Sequence, residues 1–531
     1  MLKKKLAGAL LMVFGSAATP WCMAATQVDV HATQLGRVAP TALANHLNLG
    51  VGSAFVVQHE LRTRRGTVKT REQQTYKDVP VYGRALVVER DARGLVVSVR
   101  GTAERDVGAD LISVTPRLPA AQATSALQSQ MGHAALPVTN TKAKLFVYPQ
   151  SQGATRLVYE TSYVVNVQGH PSRPTAIIDA NTGEVVKQWE GLTYGRRPRG
   201  GVTPIPVSAT GPGGNDLTGL YHYDNSGPGR EFLSAERVSN VCYLRNDEVA
   251  TYNLAGGQRV NQWSFGCAGS DPANWVSFGD AINGAYSPIN DAHHFGGVVH
   301  DMYSSWFGAP PLQNPDGSPM QLSMWVHYGT NYGNAFWDGS EMVFGDGDQY
   351  FYPLVVLDVT GHEISHGFTE QHSSLEYTGQ SGGMNEAFSD MAGEAVKYFD
   401  RGRNDFMVGA DMVKPATVPL LGMAALRDMC TPSNDGVSID SARDYYDGLD
   451  VHYSSGVYNR AFCQLAKTSG WNTRMAFEVF HDANALYWGP TETFDTGACG
   501  VEQAAVDRGY SDSDVAAAFD AVSVICANPP R

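Results

Sequence analysis

Long hydrophobic runs are almost absent from this chain, and no stretch reaches the about 20 apolar residues that a membrane-crossing helix needs. The most apolar run, Leu6 to Phe14, is followed by the interruptions Gly15, Ser16 and Pro20. Lys3, Lys4 and Lys5 precede it, and Ala24 and Ala25 close it with small residues. That layout predicts a signal peptide over residues 1–25, hence an exported, extracellular protein with no membrane anchor. Cysteine is scarce as well. Of seven, Cys22 falls within the signal, and Cys242, Cys267, Cys430, Cys463, Cys499 and Cys526 remain. Export makes disulfides permissible and an even count fits pairing. The short separations favour Cys242 with Cys267 and Cys499 with Cys526, each loop stabilising by roughly 3 kcal/mol. Cys430 and Cys463 are either the third pair or two buried thiols.

Positive charge is depleted from the larger part of the sequence. Residues 1–208 carry 24 Lys and Arg against 13 Asp and Glu, whereas residues 209–531 carry 15 against 40. A surface at minus 25 repels acidic polymers, so nucleic acid is not expected as a partner. The basic part has an acidic part of the same chain to attract it. Between them run Gly195, Arg196, Arg197, Pro198 and Arg199, then Gly211 to Gly214, a composition that reads as a linker. With 43% hydrophobic and 17% charged residues, 531 residues make two to four globular units. In the basic part, alternating runs at Ala85 to Glu89, Leu95 to Val99, Lys144 to Val147 and Leu157 to Val164 predict strands, and Ala120 to Met131 predicts a helix. It is α+β, divided near residue 115, and holds no catalytic constellation.

The chemistry lies further on. His362, Glu363, Ile364, Ser365 and His366 form an H-E-x-x-H motif. Helical spacing puts His362 and His366 on one face, able to share a zinc ion, with Glu363 beside it to act as a base. Two surface histidines and a solvated carboxylate would give the same letters, but a second cluster follows. Gly382 to Glu394 reads as another helix, on which Glu386 can supply a third ligand and Asp390, four residues on, can orient a ligating ring. Three protein ligands leave an open position, the mark of a catalytic zinc site.

These segments resemble the thermolysin family, most closely its secreted elastase type, across essentially all of residues 209–531. The resemblance implies an α+β, two-lobed protease: a β-rich lobe over 209–360, a mainly helical lobe over 361–531, and zinc in the cleft. It implies that Asn334 and Ala335 open an edge strand that binds substrate backbone, and that Arg427 binds a substrate carbonyl. His452 matches the oxyanion-stabilising histidine, oriented by Asp450 or, second, Asp447; Tyr377 matches a second oxyanion donor. Phe351, Leu354, Val359 and Leu426 match the wall of a pocket for the residue after the scissile bond, so cleavage is expected before bulky apolar residues of protein and peptide substrates. Asp358, Glu394, Asp405 and the carbonyl of Met407 match calcium ligands. Lys397 stands where the elastase type has another glutamate, however, so the Ca2+ site is weakened or lost, the lysine swings outward, or the carboxylates form a salt-bridged face. Tyr76 to Gly83 resembles the family's prosegment, implying that residues 26–208 assist folding, inhibit the enzyme, and are cut away near Ser208 or Ala209 to leave a mature monomer.

Two other readings compete. An aminopeptidase would need a group for the substrate's free amine, and none is evident. A secreted binding protein with structural zinc would not need Glu363.

Overall fold

The computed structural model describes residues 25–150, 153–167, 170–192, 205–256, 260–268, 275–314 and 316–529. The signal-like residues 1–24 and the linker residues 195–199 lie outside the described residues.

Residues 26–190 form a twisted, mainly antiparallel sheet. Along it, Thr26–Gly36, Val96–Arg105, Val79–Arg90, Val138–Tyr148, Arg156–Val167, Pro174–Asp179 and Val185–Glu190 are neighbours in that order. The alternating runs of the sequence fall in these strands except for Leu95, which precedes the strand beginning at Val96, and the helix Ala120–Gln130 packs its Ala123 and Leu127 inward. Among the described residues it has two larger apolar cores, besides a small cluster of Tyr82, Phe146, Val158 and Ile177. Val30, Leu43, Phe55, Leu86, Val88 and Val99 form one; Val81, Leu127, Val147, Leu157 and Ile178 form the other. The two halves of the sheet join at a parallel contact of Val81 with Val147.

Beyond residue 204 the chain first makes sheets. Ile205–Ala209 pairs with Leu233–Val238, so the expected processing point at Ser208 or Ala209 sits within a paired strand. A five-stranded sheet follows, ordered Asn261–Gln262, Val249–Asn253, Leu322–Tyr328, Glu341–Gly345 and Ala335–Trp337. Ala335–Trp337 therefore lies at its edge. The helix Pro288–Phe307 covers this sheet.

The rest is mainly helical, and one apolar core runs without a break from Ala209 to Val524. At its centre cross the motif helix, Leu357–Gln371, and the ligand helix, Gly379–Arg401. The motif helix passes through the expected lobe division at residue 360, so the two lobes share it. Glycine weakens helices, yet close approach requires it here. A Cβ on Gly361 would come within 2.9 Å of Val396 and 3.2 Å of the Gly393 Cα, and one on Gly393 within 2.6 Å of the Asp358 carbonyl oxygen. Disulfides join Cys242 to Cys267, Cys430 to Cys463 and Cys499 to Cys526, which decides the third pairing.

Candidate active site

His362 and His366 point from the motif helix toward Glu386 on the ligand helix. Their Nε2 atoms are 3.0 Å apart, and the Glu386 carboxylate lies 3.7 Å from His362 Nε2 and 3.4 Å from His366 Nε2. The other ring nitrogens are already committed. His362 Nδ1 donates to Asp390 at 2.9 Å, and His366 Nδ1 donates to the Asn385 side-chain oxygen at 2.7 Å. That fixes the tautomers and turns two Nε2 lone pairs toward each other and toward a carboxylate. Such an arrangement is repulsive unless a cation stands among them. Glu386 Oε2 is buried without a hydrogen bond, an acceptor left for the same cation. Two imidazoles and one carboxylate are a zinc donor set.

The electrostatics show a pocket that draws positive charge, whether a proton or a metal ion. Burial alone would push His366 down, but the Glu386 and Glu363 carboxylates override it and raise the ring to about 9. Burial would likewise raise Glu386, yet His452, His362 and His366 hold it well below the carboxylate range. Glu363 is raised above its usual value by burial, against the pull of the two histidines, with the backbone N–H of Trp337 donating to it.

A support layer surrounds the donors. Burial works to raise Asp390, but Arg427 and His362 bring it to about 2. Arg427 grips it twice, at 2.7 and 2.6 Å, and the Asn459 side chain adds a third donor at 2.8 Å. Asn385, Asn459 and Ser389, whose hydroxyl lies 3.1 Å from His366 Nδ1, are absent from the sequence-based assignment. Asn385 immediately precedes Glu386 on the same helix, which is a usable signal; Asn459 is 69 residues from Asp390 and gives none.

His452 stands at the open side, its Nε2 3.7 Å from Glu386, with Nδ1 donating to Asp450 at 2.7 Å. Tyr377 donates to Glu386 and lies 3.3 Å from His452 Nε2. Ala335 begins the edge strand and Asn334 immediately precedes it. Leu354 and Val359 belong to the main core, and Phe351 and Leu426 pack against it. Asp358, Glu394, Asp405 and the Met407 carbonyl do converge, but on the ammonium of Lys397, which turns inward rather than to solvent.

The basic part reaches into this region. Lys142 and Arg173 pair with Glu370, one turn beyond His366, at 2.7 and 3.2 Å. Lys187 and the Tyr82 hydroxyl bond Glu376, next to Tyr377. Leu192 packs against the small apolar cluster of Leu254, Val343 and Phe336 of the edge strand. Farther off, Lys69 pairs with Asp507 at 2.6 Å.

A two-helix zinc centre beside an edge strand, held under a basic partner segment, defines a class: a metallopeptidase with its prosegment in place. Comparison with known proteins makes this specific. Residues 219–370 match the thermolysin metallopeptidase catalytic domain, 373–524 its alpha-helical domain, and 53–103 the fungalysin/thermolysin propeptide motif. The chain is similar to the hemagglutinin/proteinase of Vibrio cholerae, 46% identical over 478 residues, covering 89% of this chain and 73% of that protein. It is 43% identical over 514 residues to the neutral protease of Vibrio proteolyticus, covering 94% and 79%. Among solved structures, the precursor of protealysin, a metalloproteinase from Serratia proteamaculans, matches 53% of this chain and 89% of its own at 27% identity and a TM-score of 0.44. The chain belongs to the thermolysin family: it is a zinc-dependent neutral endopeptidase made with a prosegment.

Proposed function

We propose that His362, His366 and Glu386 hold the zinc, that Glu363 is the general base, and that His452 and Tyr377 serve the oxyanion. The observation that carries this reading is the convergence of two Nε2 lone pairs and a buried carboxylate oxygen, each ring fixed from behind by a hydrogen-bond acceptor. Bound zinc supplies a Lewis acid and an acidified water. Glu363, buried beside the histidines, takes the water proton and delivers it to the leaving amine. His452, oriented by Asp450, donates to the developing oxyanion, and one such donor is worth about 3 to 4 kcal/mol. Tyr377 joins it by releasing Glu386. Asn334 and Ala335 align substrate along the free edge of the sheet by backbone hydrogen bonds, and Arg427 binds a substrate carbonyl while anchoring Asp390. Apolar Phe351, Leu354, Val359 and Leu426 favour bulky apolar residues after the scissile bond.

The prosegment, residues 26–208, acts as inhibitor, since its Leu192 occupies the edge-strand surface and its lysines and arginine neutralise Glu370 and Glu376. It is removed near Ser208 or Ala209, once that strand leaves its sheet. Three disulfides support export from a reducing cytoplasm. Among the described residues no helix is long and apolar enough to cross a membrane. The mature enzyme works as a monomer. Calcium is left out of the cofactors, because Lys397 fills the place among its expected ligands.

The test is hydrolysis of an internally quenched peptide, blocked at both ends, by the processed enzyme and its Glu363→Gln variant, with zinc measured on each. Cleavage by the parent alone, with about one zinc in both, is the expected result. A zinc-loaded variant that still cuts removes Glu363 as base.

A further inference from the structure

Two turns beyond Glu386, the ligand helix carries a second polar cluster that takes no part in the chemistry. Lys397 Nζ lies 2.7 Å from Glu394, 2.5 Å from Asp405, 3.3 Å from Asp358 and 3.2 Å from the Met407 carbonyl oxygen. Lys397 is 4% exposed, Glu394 and Asp358 no more than 1%. An ammonium has three protons to donate, and here four oxygens from three parts of the chain surround it. Asp358 comes from the first turn of the motif helix, Glu394 from the ligand helix, Asp405 and Met407 from the loop that follows. The remaining oxygens are also engaged: Glu394 Oε2 accepts from the Asn404 side chain and Phe406 N, and Asp358 accepts from Val359 N and Gly409 N.

This donor set does not fit a calcium ion as it stands. Calcium takes six to eight oxygens at about 2.3 to 2.6 Å, and it repels an ammonium. At this cluster the central position is filled by a side-chain nitrogen whose stem comes from within the same helix. Charge leads to the same conclusion. Three carboxylates with one ammonium stand at minus two; four carboxylates with one divalent cation would stand at minus two as well. Burial works to strip Lys397 of its proton, but Asp358, Glu394 and Asp405 together keep it charged, its pKa above the ordinary lysine value.

We propose that Lys397 is a covalently built-in replacement for a divalent cation: its ammonium ties the start of the motif helix to the ligand helix and the 405–407 loop, so the fold binds and needs no calcium here. The inference is independent of the catalytic roles assigned above. It also predicts that one substitution turns the cluster into a calcium site, because Lys397→Glu removes the ammonium and adds a fourth carboxylate.

The experiment uses the full chain with Glu363→Gln in every sample, so that self-digestion does not intervene, and buffers stripped of calcium by a chelating resin with zinc then added back. Bound calcium is counted by equilibrium dialysis, and melting is followed with and without millimolar calcium. Lys397→Glu is expected to bind one calcium per chain more than the parent. Its melting temperature should lie below the parent's without calcium and rise by about 5 °C or more with it. Lys397→Gln, uncharged and close in size, should melt below the parent in calcium-free buffer. Equal calcium counts in the parent and Lys397→Glu overturn the proposal, as does a Lys397→Gln chain that melts no lower than the parent. If Lys397→Glu folds only when calcium is supplied, that result supports it.

Discussion

At the residue scale, Asp390 does the most with a single side chain. It orients His362, holds Arg427 by two hydrogen bonds, and accepts from Asn459, all without solvent. Asp390→Asn keeps the shape and loses the charge. It should weaken zinc binding by about 10- to 100-fold, as measured by competition with a chromogenic chelator, because His362 becomes a poorer and less fixed ligand. Arg427, left with only the more distant Glu386 carboxylate at 3.9 Å as counter-charge, should also lower the melting temperature. The donor triad was legible in the sequence because both pairs, His362 with His366 and Glu386 with Asp390, are four residues apart, and four residues make one helical face. Asn459 was not, since only tertiary packing brings it to Asp390. Nor could sequence settle which way Lys397 points: a lysine beside carboxylates turns outward when solvated and inward when the carboxylates converge, and convergence is a property of three separate segments.

At the element scale, the crossing of the two helices depends on glycines at their contact, Gly361 on the motif helix and Gly393 on the ligand helix. A glycine beside a metal ligand reads in sequence as a helix-weakening residue; its use appears only once the partner helix lies against it. The strands of the prosegment were readable from their alternation, whereas the motif helix blurred the expected lobe boundary because helix N-termini carry weak signals when no side chain caps them, and Val356 supplies none. The disulfide between Cys430 and Cys463 ties the segment bearing Arg427 to the helix Gly456–Lys467, which bears Asn459. Both donors that brace Asp390 therefore sit next to one cross-link. Replacing both cysteines by serine should cost about 2 to 5 kcal/mol in denaturant unfolding. Activity should fall before the fold does, detectable as lost cleavage at denaturant concentrations where the far-ultraviolet signal is unchanged.

At the scale of the whole molecule, a basic prosegment clamps an acidic enzyme, as the division of charge along the sequence suggested; the individual pairs, such as Lys69 with Asp507, were beyond it. One contact makes the clamp sensitive to acid. His59 of the prosegment stacks on His372 of the enzyme with ring centroids 4.2 Å apart. Burial, then the neighbouring Arg71 and His481, lower His59 to about 4 from its ordinary 6.5. The clamped state therefore takes up fewer protons than the released one. His59 has no effect above pH 6.5, weakens the clamp progressively as pH falls from about 6.5 to about 4, and levels off below that, while its partner His372, lowered well below the ordinary histidine value by burial and by His59, acts in the same direction. Glu160, raised to about 7 by burial and by Glu370, works in the opposite direction, favouring the clamp as pH falls from 7 to its free value near 4.5. A His59→Phe variant isolates the histidine: retention of the cut prosegment, followed by gel filtration between pH 7 and 4, should fall less steeply than in the parent. Equal slopes would remove His59 from the clamp's acid response. The Cys430–Cys463 bond has a bearing on the producing cell. Cytoplasmic thiols are kept reduced, so on the export proposed above the brace around Asp390 is completed only after the chain has left. On that reading, any copy that loses its prosegment before export is a loosely braced enzyme, and the timing of one disulfide separates it from a fully braced one.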